Sequence, residues 1–329
     1  IDGFISQMGW LPNDKIGFVI LSNTGNTDGG GNPLPNALAL YLVDRMLADG
    51  HSVEVVDDLS VGSLANLGAA RAAGGTLRFH HLDVSAPEFS DLIALRRPNV
   101  IYHLALLPTG ATRTNEILRS ATLLLAVLEA ARRFAVKKVV VALPAGLLYG
   151  EVPARQLPVK EGRKAEPMGV AHVMANTLVD LLTVYRESYD VEFTALAMTN
   201  VYGSRQRPTD GVVAAFANAV VNQSPPVICG NGRQTRDFLY IDDAVDALAR
   251  AINKGGGLVV NIGTGVQTTI KDLWQMIGRD TTLQETYESA RTADLQRNAV
   301  NTTRARIQLG WSHWTTLESG VNELLGRVV

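Results

Sequence analysis

The chain has 329 residues, 46% of them hydrophobic and 19% charged, with a formal net charge of −2. It holds enough apolar content for a sizeable core, too few charges for a disordered chain, and too little net charge to draw it to nucleic acid or an anionic membrane. A single cysteine, Cys229, excludes a disulfide framework and a cysteine-rich zinc site, and no apolar run approaches the ~18 residues of a membrane span.

At its start, Ile1-Asp-Gly-Phe4 has neither the positive region nor the apolar stretch of a signal peptide. Without an initiating Met, the chain reads as a fragment or a processed product. A soluble, cytoplasmic protein is expected, with no metal, nucleic-acid or membrane partner. Short β-branched runs then alternate with longer helical patterns. Strands are expected at Lys15–Leu21, Ser52–Val56, Leu77–His81, Val100–Leu104, Lys138–Ala142, Glu192–Met198 and Leu258–Ile262. Helices are expected at Ala37–Asp49, Leu118–Arg133, Val170–Tyr189, Val212–Asn222, Asp243–Lys254, Ile270–Gly278 and Leu317–Val328. Near-continuous apolar strands separated by helices indicate an α/β protein whose parallel sheet is covered on both faces. Right-handed crossovers make it a Rossmann-like doubly wound sheet that takes ligands at the carboxyl ends of its strands. Residues 1–36 read as an atypical N-terminal hairpin or first strand with a long loop, Asn23–Pro35 being rich in Gly, Asn and Pro. Residues 37–200 read as the dinucleotide-binding part. Residues 201–329 read mainly as a smaller substrate lobe, with a strand near 258–262 returning to the sheet.

Four runs carry the most specific signal: Thr199-Asn-Val-Tyr-Gly-Ser-Arg-Gln-Arg-Pro208, Cys229-Gly-Asn-Gly-Arg-Gln-Thr-Arg-Asp-Phe238, Asp242-Asp243-Ala244 and Asn261-Ile-Gly-Thr-Gly265. In this order and spacing they closely resemble the extended short-chain dehydrogenase/reductase family of NAD-dependent sugar-nucleotide epimerases and dehydratases, over residues 48–329. In that family an Asn after the sixth strand and two arginines of the smaller lobe hold the nucleotide diphosphate. The resemblance places these roles on Asn200, Arg236 and Arg297, with Val212-Val213 and Pro226-Val227-Ile228 as the wall around base and ribose. Arginine suits the task because its planar donors pair bidentately with phosphate and stay charged. The plainer reading is that Arg236 pairs with Asp237 or Asp242 and only ties the lobe down.

The cofactor half matches less well. Val53-Glu-Val-Val-Asp-Asp-Leu-Ser60 resembles the family's second strand, which implies Asp57 as acceptor of the adenosine ribose hydroxyls and favours NAD over NADP. Asp83-Val84 falls on the adenine-contacting pair, and His103-Leu-Ala105 on the strand end beneath the pyrophosphate. Asp57 and Asp83 also fit as plain turn residues. The compact glycine turn that should join first strand to first helix is replaced by Ser22-Asn-Thr-Gly-Asn-Thr-Asp-Gly-Gly-Gly-Asn-Pro-Leu-Pro-Asn36. Gly25 and its neighbours are available there, but Asp28 adds negative charge and Pro33 and Pro35 remove amide donors. NAD is therefore expected to bind weakly or not at all. Ile1–Leu47 also resembles the C-terminal tail of serine β-lactamase/penicillin-binding-type hydrolases, a hairpin followed by a helix, without their nucleophile motif. A fusion there would explain the odd loop.

The resemblance also locates the reacting groups. The family's tyrosine falls on Met168, its lysine on His172 and its Ser/Thr on Ala145. Methionine has no ionisable proton and alanine no hydroxyl, so only His172 can titrate near neutrality. Tyr149 belongs to the family's Tyr-Gly turn, and Tyr185 lies beyond the active turn of its helix. Several readings stay open: a divergent family member that binds a nucleotide sugar or related diphosphate without the Tyr/Lys chemistry; an active NAD-dependent epimerase or dehydratase with relocated groups; a non-catalytic binding or scaffold protein; or non-redox lyase or isomerase work by His172. A homodimer is the assembly the resemblance implies.

Overall fold

The computed structural model describes residues 37–59, 64–104, 114–163, 166–291 and 294–327, together with the backbone of Phe4–Ile5, Gln7–Trp10 and Ser22–Asn23. The expected strand Lys15–Leu21 lies outside the described residues, as do Gly25, Asp28, the prolines of the long loop, and Ala105.

Four parallel strands form one part of the sheet, in the order Leu258–Ile262, Phe193–Met198, Lys138–Pro144, Val100–His103. The other part runs Gln7–Trp10, Ser52–Asp57, Leu77–His81, the last two parallel in register Val55↔Phe79. Gln7–Trp10 also runs beside Val100–His103, so it bridges the two parts. This strand was not expected, and it enters antiparallel to Ser52–Asp57, with Gly9 opposite Val53. Among the described strands of the sheet it is the one departure from a parallel arrangement. At the N-terminus, Phe4–Ile5 pairs antiparallel with Ser22–Asn23.

Alternation along each central strand explains why both faces are covered, because neighbouring residues point to opposite sides. Val140, Ala142 and Tyr102 pack with Leu42 and Val43 of the Ala37–Ala48 helix and Leu248 of the Ile241–Ala251 helix on one face. Val139, Val141 and Ile101 pack with Leu124 and Leu128 of Thr114–Phe134 and Leu178 and Leu182 of Val170–Tyr189 on the other. Each such side chain contributes ~1.5–3 kcal/mol on full burial. Tyr102 carries a hydroxyl into this core and donates it to Leu248 O at 2.8 Å.

The smaller lobe is built from Val212–Val221, Ile270–Ile277 and short strand pairs. Asn200–Tyr202 runs parallel to Phe238–Tyr240, Val227–Cys229 runs parallel to Thr286–Glu288, and Thr235–Arg236 runs antiparallel to Thr268–Thr269. Thr269 and Thr316 cap their helices, accepting from Asp272 N and Ser319 N. The Leu317–Leu324 helix ends earlier than expected, because Gly326 adopts a φ of 63° and turns the chain away. Gly263, in the Asn261–Gly265 loop, has no room for a side chain: a Cβ there would lie 2.7–2.8 Å from Val300 Cγ2, Asp237 Oδ2 and Thr199 Cγ2. No described helix is long and apolar enough to cross a membrane.

Candidate functional site

On the cofactor side, Asp57 closes the Ser52–Asp57 strand at 2% exposure, and its Oδ1 accepts from Leu59 N at 2.8 Å. Burial first, and then the charge of Asp58, pushes its pKa up to about 7. Asp83 turns the chain, accepting on Oδ1 from Ser85 N and Oγ at 2.8 and 2.7 Å. Its Oδ2 accepts from Arg119 Nη2 at 3.0 Å, and the same nitrogen reaches Asp58 Oδ2 at 3.1 Å. Asp57, Asp58, Asp83 and Arg119 are thus brought together at the carboxyl ends of two neighbouring strands. Asp83 accepts three hydrogen bonds there, while Asp57 accepts from Leu59 N and Asp58 from Arg119 Nη2. Val84 is buried in the core. Arg119 was missed in the sequence, since nothing in the periodicity of its helix marks it as the partner of two distant carboxylates. His103 is fully buried with neither ring nitrogen partnered, and burial lowers its pKa to about 3, which keeps the imidazole neutral.

At the reacting positions, Ala145 is buried at the start of the Ala145–Tyr149 helix, directly after the Lys138–Pro144 strand. Met168 is 40% exposed, and His172 lies in the first turn of Val170–Tyr189 at 6% exposure. Asn176 Nδ2 ties that turn to the short helix, donating to His172 O at 2.9 Å and Leu148 O at 3.4 Å. Neither ring nitrogen of His172 has a hydrogen-bond partner, and burial lowers its pKa. A neutral imidazole with no carboxylate to orient it is poorly equipped as an acid. The hydroxyls of Tyr149 and Tyr185 are engaged elsewhere, donating to Asn261 Oδ1 and Glu129 Oε1, each at 2.6 Å. Burial raises both their pKa values.

The substrate side is arranged differently. Parallel register sets Asn200 opposite Phe238, and Asn200 N donates to Asp237 O at 3.0 Å, while Arg236 lies two residues before Phe238 in the separate short strand Thr235–Arg236. Arg236 does not pair with Asp237 or Asp242, which corrects the plainer sequence reading. Its Nη2 pairs with Asp294, while Nη1 donates to Thr235 O at 2.8 Å and Leu295 O at 2.7 Å. Asp237 is fully buried and serves the Asn261–Gly265 loop instead. It accepts from Thr264 N and Oγ1 at 2.8 and 2.7 Å, Gly265 N at 2.9 Å and Val300 N at 3.2 Å. Burial raises its pKa, and these hydrogen bonds partly offset the shift. Arg297 is exposed and makes no ion pair among the described residues. It follows Gln296, whose carbonyl accepts from Thr235 N at 3.0 Å, so its segment is clipped alongside Arg236. Val213 is buried in the lobe's core, whereas Val212 is half-buried and Val227 exposed, so the apolar wall is open chiefly at Val227. Among the described residues no cluster of three or more His, Cys, Asp or Glu side chains could hold a metal.

Comparison with known proteins agrees with this layout. Residues 38–263 match the model of the NAD dependent epimerase/dehydratase family. The chain is 36% identical over 293 residues to UDP-glucose 4-epimerase of Mycolicibacterium smegmatis, spanning 85% of this chain and 91% of that one. It is 26% identical to a putative UDP-glucose 4-epimerase of Methanocaldococcus jannaschii, over 87% of this chain and 93% of the relative. Among solved structures, UDP-glucose 4-epimerase from Thermotoga maritima with UDP-glucose superposes with a TM-score of 0.82 at 29% identity, covering 91% of this chain and 96% of that one. The Thermus thermophilus UDP-glucose 4-epimerase in complex with NAD gives a TM-score of 0.75 at 25% identity, with the same coverage. These matches lend no support to the hydrolase-tail resemblance of residues 1–47.

Proposed function

The chain belongs to the NAD-dependent epimerase/dehydratase family, and from that premise we propose that it binds a nucleoside-diphosphate ligand, a nucleotide sugar foremost, without the family's tyrosine–lysine redox chemistry. The observation that carries this reading is the contrast at matched positions. Arg236 is fixed by Asp294, Thr235 and Leu295, with Arg297 making no ion pair among the described residues, whereas Ala145, Met168 and His172 stand where the hydroxyl, the phenol and the ammonium belong. The Thermotoga maritima relative holds UDP-glucose, which makes uridine the first base to test.

NAD is the cofactor the family implies. The described residues do not fit it well: Asp57 is sealed at 2% exposure, Asp83 is engaged by Ser85 and Arg119, and His172 brings a neutral ring where a fixed cation would hold the nicotinamide ribose. The chemistry left to this chain's own residues is anion binding by arginine, with donors fixed in place before the ligand arrives. The protein acts as a binder in its pathway or on a partner, and two copies pair through the helices Thr114–Phe134 and Val170–Tyr189. Supporting the pairing, these helices leave Leu118, Leu125, Val173 and Val184 exposed at spacings that put them on one side of each helix.

Thermal shift tests the ligand reading. UDP should raise the melting temperature with concentration by mass action, and Arg236→Ala should lose most of that rise. Equal shifts in both proteins would show that Arg236 only ties the lobe together. Sedimentation of wild type and Val173→Glu tests the pairing, which fails if both run as monomers.

A further inference from the structure

We infer that the edge of the sheet opposite the ligand cleft carries a docking surface for an acidic polypeptide segment, centred on two arginines that meet over Phe134. The inference names a partner class for the binder described above and rests on that reading only in that a partner exists. The helices Pro87–Arg96 and Thr114–Phe134 end just before the strands Val100–His103 and Lys138–Pro144 begin. Their C-termini therefore lie at the amino ends of those strands, away from Asp57 and Asp83. There the Arg97 guanidinium stands 5.5 Å from the centre of the Phe134 ring, and that of Arg133 stands 5.4 Å from it. Each is aimed by one hydrogen bond, Arg97 Nε to Ala94 O at 3.0 Å and Arg133 Nη1 to Ser90 Oγ at 3.4 Å. Most of the donors of each guanidinium are thus left over. Both arginines are exposed, as is Lys137, and none of the three makes an ion pair among the described residues. The arginines next to them in sequence are compensated. Arg132 pairs with Glu129 at 2.8 Å, and buried Glu54 takes Arg96, Arg78 and His80 at 3.2, 3.0 and 3.0 Å. Helix C-termini favour basic residues by ~0.3–1 kcal/mol each, but that preference does not bring two cations onto one ring. Arg97 also has a φ of 46°, where glycine is favoured, so its side chain stands there at a backbone cost. The chain as a whole carries a net charge of −2, so this edge is positive against the trend of the molecule. Carboxylates spaced along an extended segment fit it, because a guanidinium takes a carboxylate bidentately. Leu95, 73% exposed and two residues before Arg97, adds an apolar contact. Three uncompensated cations fall short of the roughly four to eight that mark an anionic-lipid site, and of the basic stripe that a nucleic-acid backbone tracks.

The experiment is fluorescence anisotropy of a short labelled Glu/Leu peptide titrated with wild type and two double variants. Arg97→Glu/Arg133→Glu reverses the surface, and Arg155→Glu/Arg306→Glu makes the same change of net charge at two exposed arginines elsewhere. Wild type should bind the peptide, and less tightly as salt is raised, because the contact is solvent-exposed and screened. The Arg97→Glu/Arg133→Glu protein should bind roughly 100-fold more weakly or not at all, the ratio for two lost charge-assisted pairs. The control should stay within about twofold of wild type. If melting shows that the reversal unsettles the helix ends, Arg97→Asn/Arg133→Gln carries the test. Asparagine tolerates the left-handed backbone, and binding should still fall about tenfold. Saturating UDP should leave peptide binding unchanged, and the reversal should leave UDP binding unchanged. No peptide binding by wild type, an equal loss in the control, or displacement of the peptide by UDP would overturn the inference. Binding of phosphatidylserine vesicles or single-stranded DNA that needs Arg97 and Arg133 and is tighter than that of the peptide would overturn the partner class. Peptide binding as described in a protein that takes up no UDP would sink the diphosphate reading alone.

Discussion

The carboxyl ends of Ser52–Asp57 and Leu77–His81 and the paired strands Asn200–Tyr202 and Phe238–Tyr240 both gather charged side chains, yet they use them in opposite ways. In the first region the carboxylates of Asp58 and Asp83 close on Arg119, and Asp57 is buried. Internal partners there engage part of what a cofactor would use. In the second, internal partners orient Arg236 and leave part of its donor set over, with Arg297 uncommitted. Retention of a fold therefore says little about retention of each site on it, because a site depends on which donors are left unpaired.

The largest expected effect tests whether the two regions have separated in function. Wild type with added NAD should not interconvert UDP-glucose and UDP-galactose above background, because the missing proton-transfer group alone is worth ~10²–10⁴-fold. Restoring Ala145→Ser, Met168→Tyr and His172→Lys together should still give no turnover. Robust wild-type turnover in a coupled assay would collapse the contrast. Next in size, Arg236→Ala should weaken UDP by roughly 10–100-fold, since it removes charge-assisted hydrogen bonds of ~1.5–3 kcal/mol each. Titration calorimetry checks this.

Asp57 sharpens the contrast through pH. Its folded pKa, pushed up to about 7, exceeds the ordinary aspartate value near 3.8, so between those values the folded state binds more protons than the unfolded one. Its contribution to stability therefore falls as pH rises from about 4 to 7 and then levels off. Asp57→Asn should raise stability at pH 8 by up to a few kcal/mol, at ~1.4 kcal/mol per pKa unit, and do little at pH 4. Denaturant melts at both pH values decide it. An Asp57→Asn effect equal at the two values would show that the carboxylate is not desolvated. The smallest effect is expected at Arg297, which is exposed. Arg297→Ala should weaken UDP by a few-fold at low salt, and the difference should shrink at high salt as the charge is screened.

Much of the scaffold was legible in the sequence. Apolar runs such as Val139–Ala142 and Ala195–Met198 announce buried parallel strands, and Leu77–His81, Leu258–Ile262 and Val170–Tyr189 have the expected bounds. Gln7–Trp10 was not legible, since Gln-Met-Gly-Trp has no strand pattern and is held by pairing with Ser52–Asp57. In the candidate site, the motifs singled out Asn200 and Arg236 but not the partners of Arg236. Asp294 lies 58 residues from Arg236, and Arg119 lies 36 residues from Asp83. Such pairings arise only when the chain is folded, so no local spacing encodes them. The same holds for the neutral state of His172, which is set by burial rather than by neighbours in sequence.

The central proposal is that the substrate half of the cleft binds a nucleoside diphosphate through arginine while the cofactor half holds NAD weakly or not at all. Parallel calorimetric titrations of wild type with UDP and with NAD test it most directly. The account predicts UDP binding that Arg236→Ala removes, and NAD binding no tighter than ~1 mM, where the binding free energy is about −4 kcal/mol. Micromolar or tighter NAD binding, or NAD carried through purification, would contradict it.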